Sequence, residues 1–283
     1  YYPQKDFKDF WEKFSNEVKR ARCENLIRNP IVLILALVIF DIEKNLPNRR
    51  VEFYKKCIET FLTVREDRKG AYILSEKAKN ILGIDSVVPK IAYYKYSHVT
   101  ENIGYKFNYD ELKKSVFNAI EVDDEINWGD AVRQYSEYLV DRTELIREID
   151  EDVLDFAHKT FYEYFLAVYF TKEYENNELI DLLQQWIGDS NNDELARLII
   201  EVIIQKDEPK QHRAIINYLF DRLQTQNVNS RLDNRTDIFI IIADLYSHNM
   251  LQPKYHIRYN NIILFYPRYV ERANNFRHRR YLE

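Results

Sequence analysis

Glycine is almost missing from this chain, and that scarcity constrains the fold more than any other feature. Only Gly70, Gly83, Gly104, Gly129 and Gly188 occur, with 7 prolines, in 283 residues. Long stretches run without a residue that breaks a helix or welcomes left-handed backbone, so helices are favoured. The same spacing removes a class of function. A phosphate cradle needs glycines a few residues apart, so that backbone N–H groups converge on the anion. No two glycines here are that close, and no G-x-x-x-x-G-K-[ST] occurs.

Apolar spacing then sets out the helices. Phe7, Phe10, Trp11 and Phe14 share one helical face, predicting a helix from residue 5 and a second helical stretch to about Arg28. Asn29-Pro30 reads as N-cap and first helical residue, since proline there gives up only an N–H that had no partner. That helix should run through Ile42 and end at Asn45-Leu46-Pro47. The run Ile31 to Phe40 is wholly apolar but far shorter than the roughly 20 residues of a membrane span. A buried core helix is expected instead. Arg50 to Val64 reads as amphipathic, with Val51, Tyr54, Cys57, Ile58, Phe61 and Leu62 inward, and the helical set should close near Gly70.

Residues 71–109 predict short helices and a short strand around Tyr105 to Tyr109. Asp110 is the expected cap of a helix with Leu112, Val116, Phe117 and Ile120 inward, and Trp128 to Asp141 forms another. Glu144 to Ile149 and Val153 to Phe156 flank Asp150-Glu151-Asp152, which reads as a β-hairpin with a solvated acidic turn. Thr160 and Glu163 have capping-box spacing, and Phe161, Tyr164, Phe165 and Val168 form one inward helical face. His158 then lies just upstream of a helix N-terminus, where free N–H groups and the dipole favour an anion. Helices followed by a hairpin and a helix have the layout of a winged helix. From about Asn177, helical faces at Leu179–Leu183, Leu195–Ile203 and Ile215–Leu223 suggest a HEAT-like series of helices, with Ile238 to Tyr246 one more. The pattern beyond Met250 predicts no element.

Composition excludes several functions. The net charge of −5 and pI near 5.8 argue against nucleic acid as a partner. Cys23 and Cys57 form no ligand motif, so no metal site is expected, and they suit a reduced, cytoplasmic compartment. The histidines are dispersed without HExxH, and no serine sits in G-x-S-x-G, so no catalytic residue is assigned. The chain opens on Tyr1-Tyr2-Pro3 with no signal-peptide layout, as a piece of a longer protein would.

Three segments resemble NACHT proteins, a branch of the STAND NTPases. Arg28-Asn29-Pro30-Ile31-Val32-Leu33-Ile34-Leu35 is similar to the Asn-Pro-Leu-Leu-Leu segment of the helical domain after the ATPase core. Leu46-Pro47-Asn48-Arg49-Arg50-Val51-Glu52-Phe53-Tyr54 resembles the Leu-Pro-x-x-Arg-x-x-Leu-Tyr that opens the next helix. Phe156-Ala157-His158-Lys159-Thr160-Phe161-Tyr162-Glu163-Tyr164-Phe165 resembles the signature that closes the winged-helix domain. The order and separation also match the family.

The resemblance implies a mainly α fold in three parts: a helical domain (1–70), a winged-helix domain (71–174) and a superhelical sensor region (175–283). It implies that Pro30 packs on adenine and His158 contacts the β-phosphate of ADP, holding a closed state. ATP or ADP with Mg²⁺ belongs to the parent protein, and this chain alone should bind neither tightly nor hydrolyse ATP. The implied partners are the protein's own upstream NTPase core, further copies on activation, and a protein or other foreign ligand sensed by the C-terminal region. The implied role is regulatory, in bacterial antiphage defence or innate-immune-type signalling. A plain strand-end histidine is the alternative for His158, and helix initiation alone explains Pro30. For the whole chain the alternatives are an α-solenoid interaction scaffold without nucleotide and a winged-helix DNA-binding protein. A DNA-binding wing wants cations; this one carries Glu144, Glu148, Asp150, Glu151 and Asp152 against Arg142 and Arg147. The basic tail with Arg268, Arg272, Arg277, Arg279 and Arg280 reads as a solvated helix face or end.

Overall fold

The computed structural model describes residues 4–21, 23–24, 26–28, 30–69, 84–101, 106–120, 128–143, 145–206, 209–224, 235–247 and 250–265. The expectations for Gly70, for residues 71–83, for Asn29 as a cap and for the arginine-rich tail lie outside those residues, as do the side chains of Phe61, Leu62 and Arg142. The described chain is mainly helical, with one small antiparallel hairpin. It forms two compact units, Tyr1–Tyr169 and Phe170–Glu283.

The first unit opens with α1 (Gln4–Ala21), a single 3₁₀ turn at Leu26–Arg28, α2 (Pro30–Glu43) and α3 (Arg50–Lys69). Pro30 begins α2, as a proline at the first helical position should. Phe40 of α2 meets the rings of Phe10 and Phe14 edge-on at 5.4 and 5.6 Å. Glu17 ties α1 to the loop after α2. It accepts the Leu46 N–H at 2.7 Å and pairs with Arg20, which donates to the Leu46 carbonyl at 2.8 Å.

Two expectations for this region are corrected. Phe14 is buried, but Phe7 and Trp11 are 57% and 46% exposed. The spacing is right, but the face runs beyond what α2 covers. Nor is α2 a fully buried core helix. Val32, Leu35, Ala36, Ile39 and Phe40 are buried, while Ile34 and Ile42 are 60% and 70% exposed. No helix among the described residues is long and apolar enough to cross a membrane.

Next come α4 (Ile84–Glu101), α5 (Tyr109–Ala119) and α6 (Trp128–Glu137), the last continued by a π-helical turn at Tyr138–Arg142. Strands β1 (Ile146–Asp150) and β2 (Val153–Phe156) form the hairpin. Phe107, between α4 and α5, bridges Leu154 on the outer side of β2 through N···O distances of 3.0 and 2.7 Å. Helix, bridge, helix, helix and hairpin follow one another in the order of a winged helix.

Asn108 rather than Asp110 caps α5. Its side chain accepts the Glu111 N–H while Glu111 accepts the Asn108 N–H, a reciprocal capping box. Phe117, expected inward, is 47% exposed. The turn between the strands takes left-handed backbone at Asp152 (φ 51°), which a short acidic side chain tolerates. A single long α4 replaces the short helices expected over its span.

Helix α7 (Lys159–Glu173) follows the hairpin and crosses the border between the units. The second unit continues with α8 (Asn176–Trp186), α9 (Asp193–Gln205), α10 (Pro209–Gln224), α11 (Arg235–Ser247) and α12 (Pro253–Phe265). Each of these packs on its neighbour in sequence. Helix α12 lies where the apolar pattern predicted nothing. Its signal was Pro253 at the first helical position, with Tyr255 and Tyr259 one turn apart and buried.

Candidate functional site

His158 is held by the hairpin on one side and by its own helix on the other. The Ala157 N–H donates to the Leu145 carbonyl at 2.8 Å, closing the hairpin ladder. The His158 carbonyl accepts the Phe161 and Tyr162 N–H groups at 3.1 and 3.3 Å, so α7 starts at Lys159. His158 is thus the cap itself: its ring Nδ1 accepts the Thr160 N–H at 3.1 Å. The expected capping box from Thr160 to Glu163 is not the arrangement found. Thr160 lies one residue inside the helix, and Glu163 is 5% exposed, with Lys159 at 3.3 Å.

This geometry fixes the chemistry of the ring. A neutral imidazole accepts at one nitrogen and donates at the other. With Nδ1 accepting, the proton resides on Nε2. Burial, and then the positive charge of Arg147, hold the His158 pKa below its ordinary 6.5, so the ring is neutral at pH 7. Phe161 packs its ring against the imidazole edge at 6.3 Å. His158 is therefore a neutral N–H donor of fixed tautomer at the positive end of α7.

A second charge cluster lies three residues earlier. Asp155, on β2 beyond the acidic turn, has a side chain only 18% exposed. It bonds Lys95 of α4, and Lys106 at 2.7 Å, and its Oδ1 accepts the Phe156 N–H at 2.8 Å. Lys95 also lies 5.4 Å from the centre of the Tyr162 ring. Burial lowers the Lys95 pKa; burial would raise that of Asp155, but the hydrogen bonds from Lys106 and Lys95 outweigh it and bring it down. Arg147, exposed on β1, stands opposite Asp155 in the strand register. Three cations against one carboxylate leave the base of the hairpin positive, although its tip is acidic. Lys95 and Lys106 escaped sequence reasoning because they come from positions 60 and 49 residues away from Asp155.

Pro30 sits exposed at the start of α2. It and His158 lie on different elements of the first unit. A groove of about 820 Å³ between α1 and the end of α2 includes neither. Its floor is Phe10 and Phe40, and its rim carries the pairs Asp9–Lys13, Glu17–Arg20 and Asp41–Lys44, so it presents no net charge.

Among the described residues no group of three His, Cys, Asp or Glu side chains could hold a metal ion. Both cysteines are buried and unbridged. Burial pushes Cys23 up to about 12 and Cys57 higher, so neither is a thiolate nucleophile. No family model matches the chain, and neither does any curated protein or solved structure.

Proposed function

We propose that this chain is the regulatory portion of a NACHT-type STAND NTPase, and that His158 reads the phosphate of the bound nucleotide. One observation carries the reading: the first turn of the helix that follows His158 donates to Nδ1 and so fixes the proton on Nε2, while burial keeps the ring neutral. A neutral N–H donor needs no added proton to bind, and donates at constant strength through physiological pH. The partial positive charge at the start of α7 and the charge of Arg147 add attraction for an anion. Those are the properties a β-phosphate contact needs. Pro30, exposed at a rigid helix start, offers a flat apolar edge suited to a nucleobase.

The ATPase chemistry belongs to an upstream core, which would supply the lysine and Mg²⁺ ligands of phosphoryl transfer. This chain's own work is conformational. It holds the closed, ADP-bound state until the C-terminal helices detect a foreign protein or other ligand, and the balance then shifts to an open, ATP-bound oligomer in the cytoplasm. The exposed cation of α6 supports this reading over a DNA-binding winged helix. Arg133 is paired with Asp130 at 3.6 Å and Glu137 at 3.0 Å, and the hairpin tip is acidic. In the full-length protein, His158→Asn should lower the ligand concentration at which oligomers appear by native gel or light scattering. An unchanged threshold with unchanged folding speaks for the interaction-scaffold alternative.

A further inference from the structure

We propose that His212 seats α12 on α10 only while its ring is uncharged, so that protonating the ring releases α12. Helix α10 carries His212, Ile216 and Phe220 at four-residue spacing, all buried, as one stripe. Tyr255 of α12, itself buried, lies across that stripe. Its ring centre is 6.5 Å from that of His212, at 26°, and 6.0 Å from that of Phe220, at 13°. Arg258, one turn further along α12, sits over Phe220 at 4.7 Å and donates to Asn217 and Asp221. A histidine thus fills one end of an otherwise apolar seat. A buried histidine that serves packing alone ordinarily has partners for its nitrogens. Here Nε2 is shut off from solvent, and among the described residues no protein group bonds it.

The surroundings suit the neutral ring and penalise the charged one. An imidazolium has a second N–H to satisfy, and at this seat it faces cations. Lys210 and Arg213 flank His212 on α10, and exposed Lys254 precedes Tyr255, its ammonium 4.9 Å from that ring's centre. Among the described residues, the charge that reaches His212 is that of Lys254. Asp181 of α8 acts on Tyr218 instead, Asp244 of α11 lies 3.8 Å from Arg197, and Glu201 of α9 adds nothing to it. Asp207 and Glu208, just before α10, lie outside those residues and enter the test. Burial and then Lys254 hold the seated ring below its ordinary 6.5. With α12 released the ring meets water, so the released state takes up the proton first as pH falls. The seat is complete above pH 6.5 and weakens as the pH drops through the seated value. This inference does not depend on nucleotide.

The test is amide hydrogen exchange of the whole chain by mass spectrometry at pH 7.5 and 5.5, corrected for the effect of pH on exchange itself. Protection of α12 should fall severalfold at the lower pH while that of α9 holds. His212→Phe keeps an uncharged ring on the stripe and should abolish the fall. Lys254→Glu, at an exposed position, gives the imidazolium a partner and should abolish or reverse it; this variant decides if His212→Phe does not fold. Asp207→Asn with Glu208→Gln should leave the fall as in wild type. Equal protection of α12 at both pH values, a loss shared by α9, or a fall that survives either His212→Phe or Lys254→Glu would each overturn the proposal. So would a fall that appears only once Asp207 and Glu208 are neutralised, since those acids would then already balance the charge.

Discussion

His158 joins two roles in one side chain, and substitutions can separate them. As a cap it satisfies the Thr160 N–H through Nδ1; in the proposed role it donates from Nε2 to phosphate. Asparagine retains a capping oxygen but not the reach of the distal N–H. His158→Ala should therefore cost about 0.5–2 kcal/mol of stability, as lost caps do, and His158→Asn much less. The pH dependence follows from the direction of the pKa shift. His158 titrates below 6.5 when folded, so the unfolded chain binds its proton first as pH falls. Its contribution to stability is complete above pH 6.5 and is lost as the pH drops through the folded value. Urea unfolding at pH 7.5, 6.5 and 5.5 should show stability falling with acidity, and less steeply in His158→Asn. His212, also held low by burial and then Lys254, keeps part of the slope in that variant. An equal slope in both proteins would remove His158 from the account. The motif around His158 was legible in the sequence, whereas its capping role was not. Ser, Thr, Asp and Asn are the usual caps, so Thr160 drew the assignment that an imidazole nitrogen fills.

At the scale of elements, the hairpin is anchored by a carboxylate shared between two lysines from distant parts of the chain. Asp155 on β2 meets Lys95 of α4 and Lys106 near the Phe107 bridge. Removing the acid leaves Lys95, 8% exposed, as a buried charge without its ion-pair partner. Asp155→Asn should cost about 3–5 kcal/mol, the range for breaking one side of a buried pair. Lys95→Met should cost far less, because the hydrocarbon stem is replaced in kind and Asp155 keeps Lys106. Chemical denaturation of the two variants checks the asymmetry; equal losses would contradict it. Periodicity revealed α2, α5, α7 and the hairpin because each is a local pattern. It could not reveal which faces would be covered. Phe7, Trp11 and Phe117 keep helical spacing yet stand exposed, because covering is decided by neighbours that spacing does not encode.

At the scale of the whole molecule, glycine scarcity foretold a mainly helical chain, and the order of predicted elements, helices then hairpin then helix, gave the winged-helix layout. The conformational role is a larger step, and it depends on whether His158 touches phosphate. The decisive measurement is the dissociation rate of a fluorescent ADP analogue from the full-length protein, by stopped-flow chase with excess ADP. Loss of a hydrogen bond to a charged group costs about 1.5–3 kcal/mol, roughly a ten- to hundredfold change in an equilibrium. His158→Asn should release ADP faster by that order, Pro30→Ala by less, and His212→Ala, in the second unit, at the wild-type rate. Wild-type release from a folded His158→Asn protein would make His158 a helix cap and nothing more.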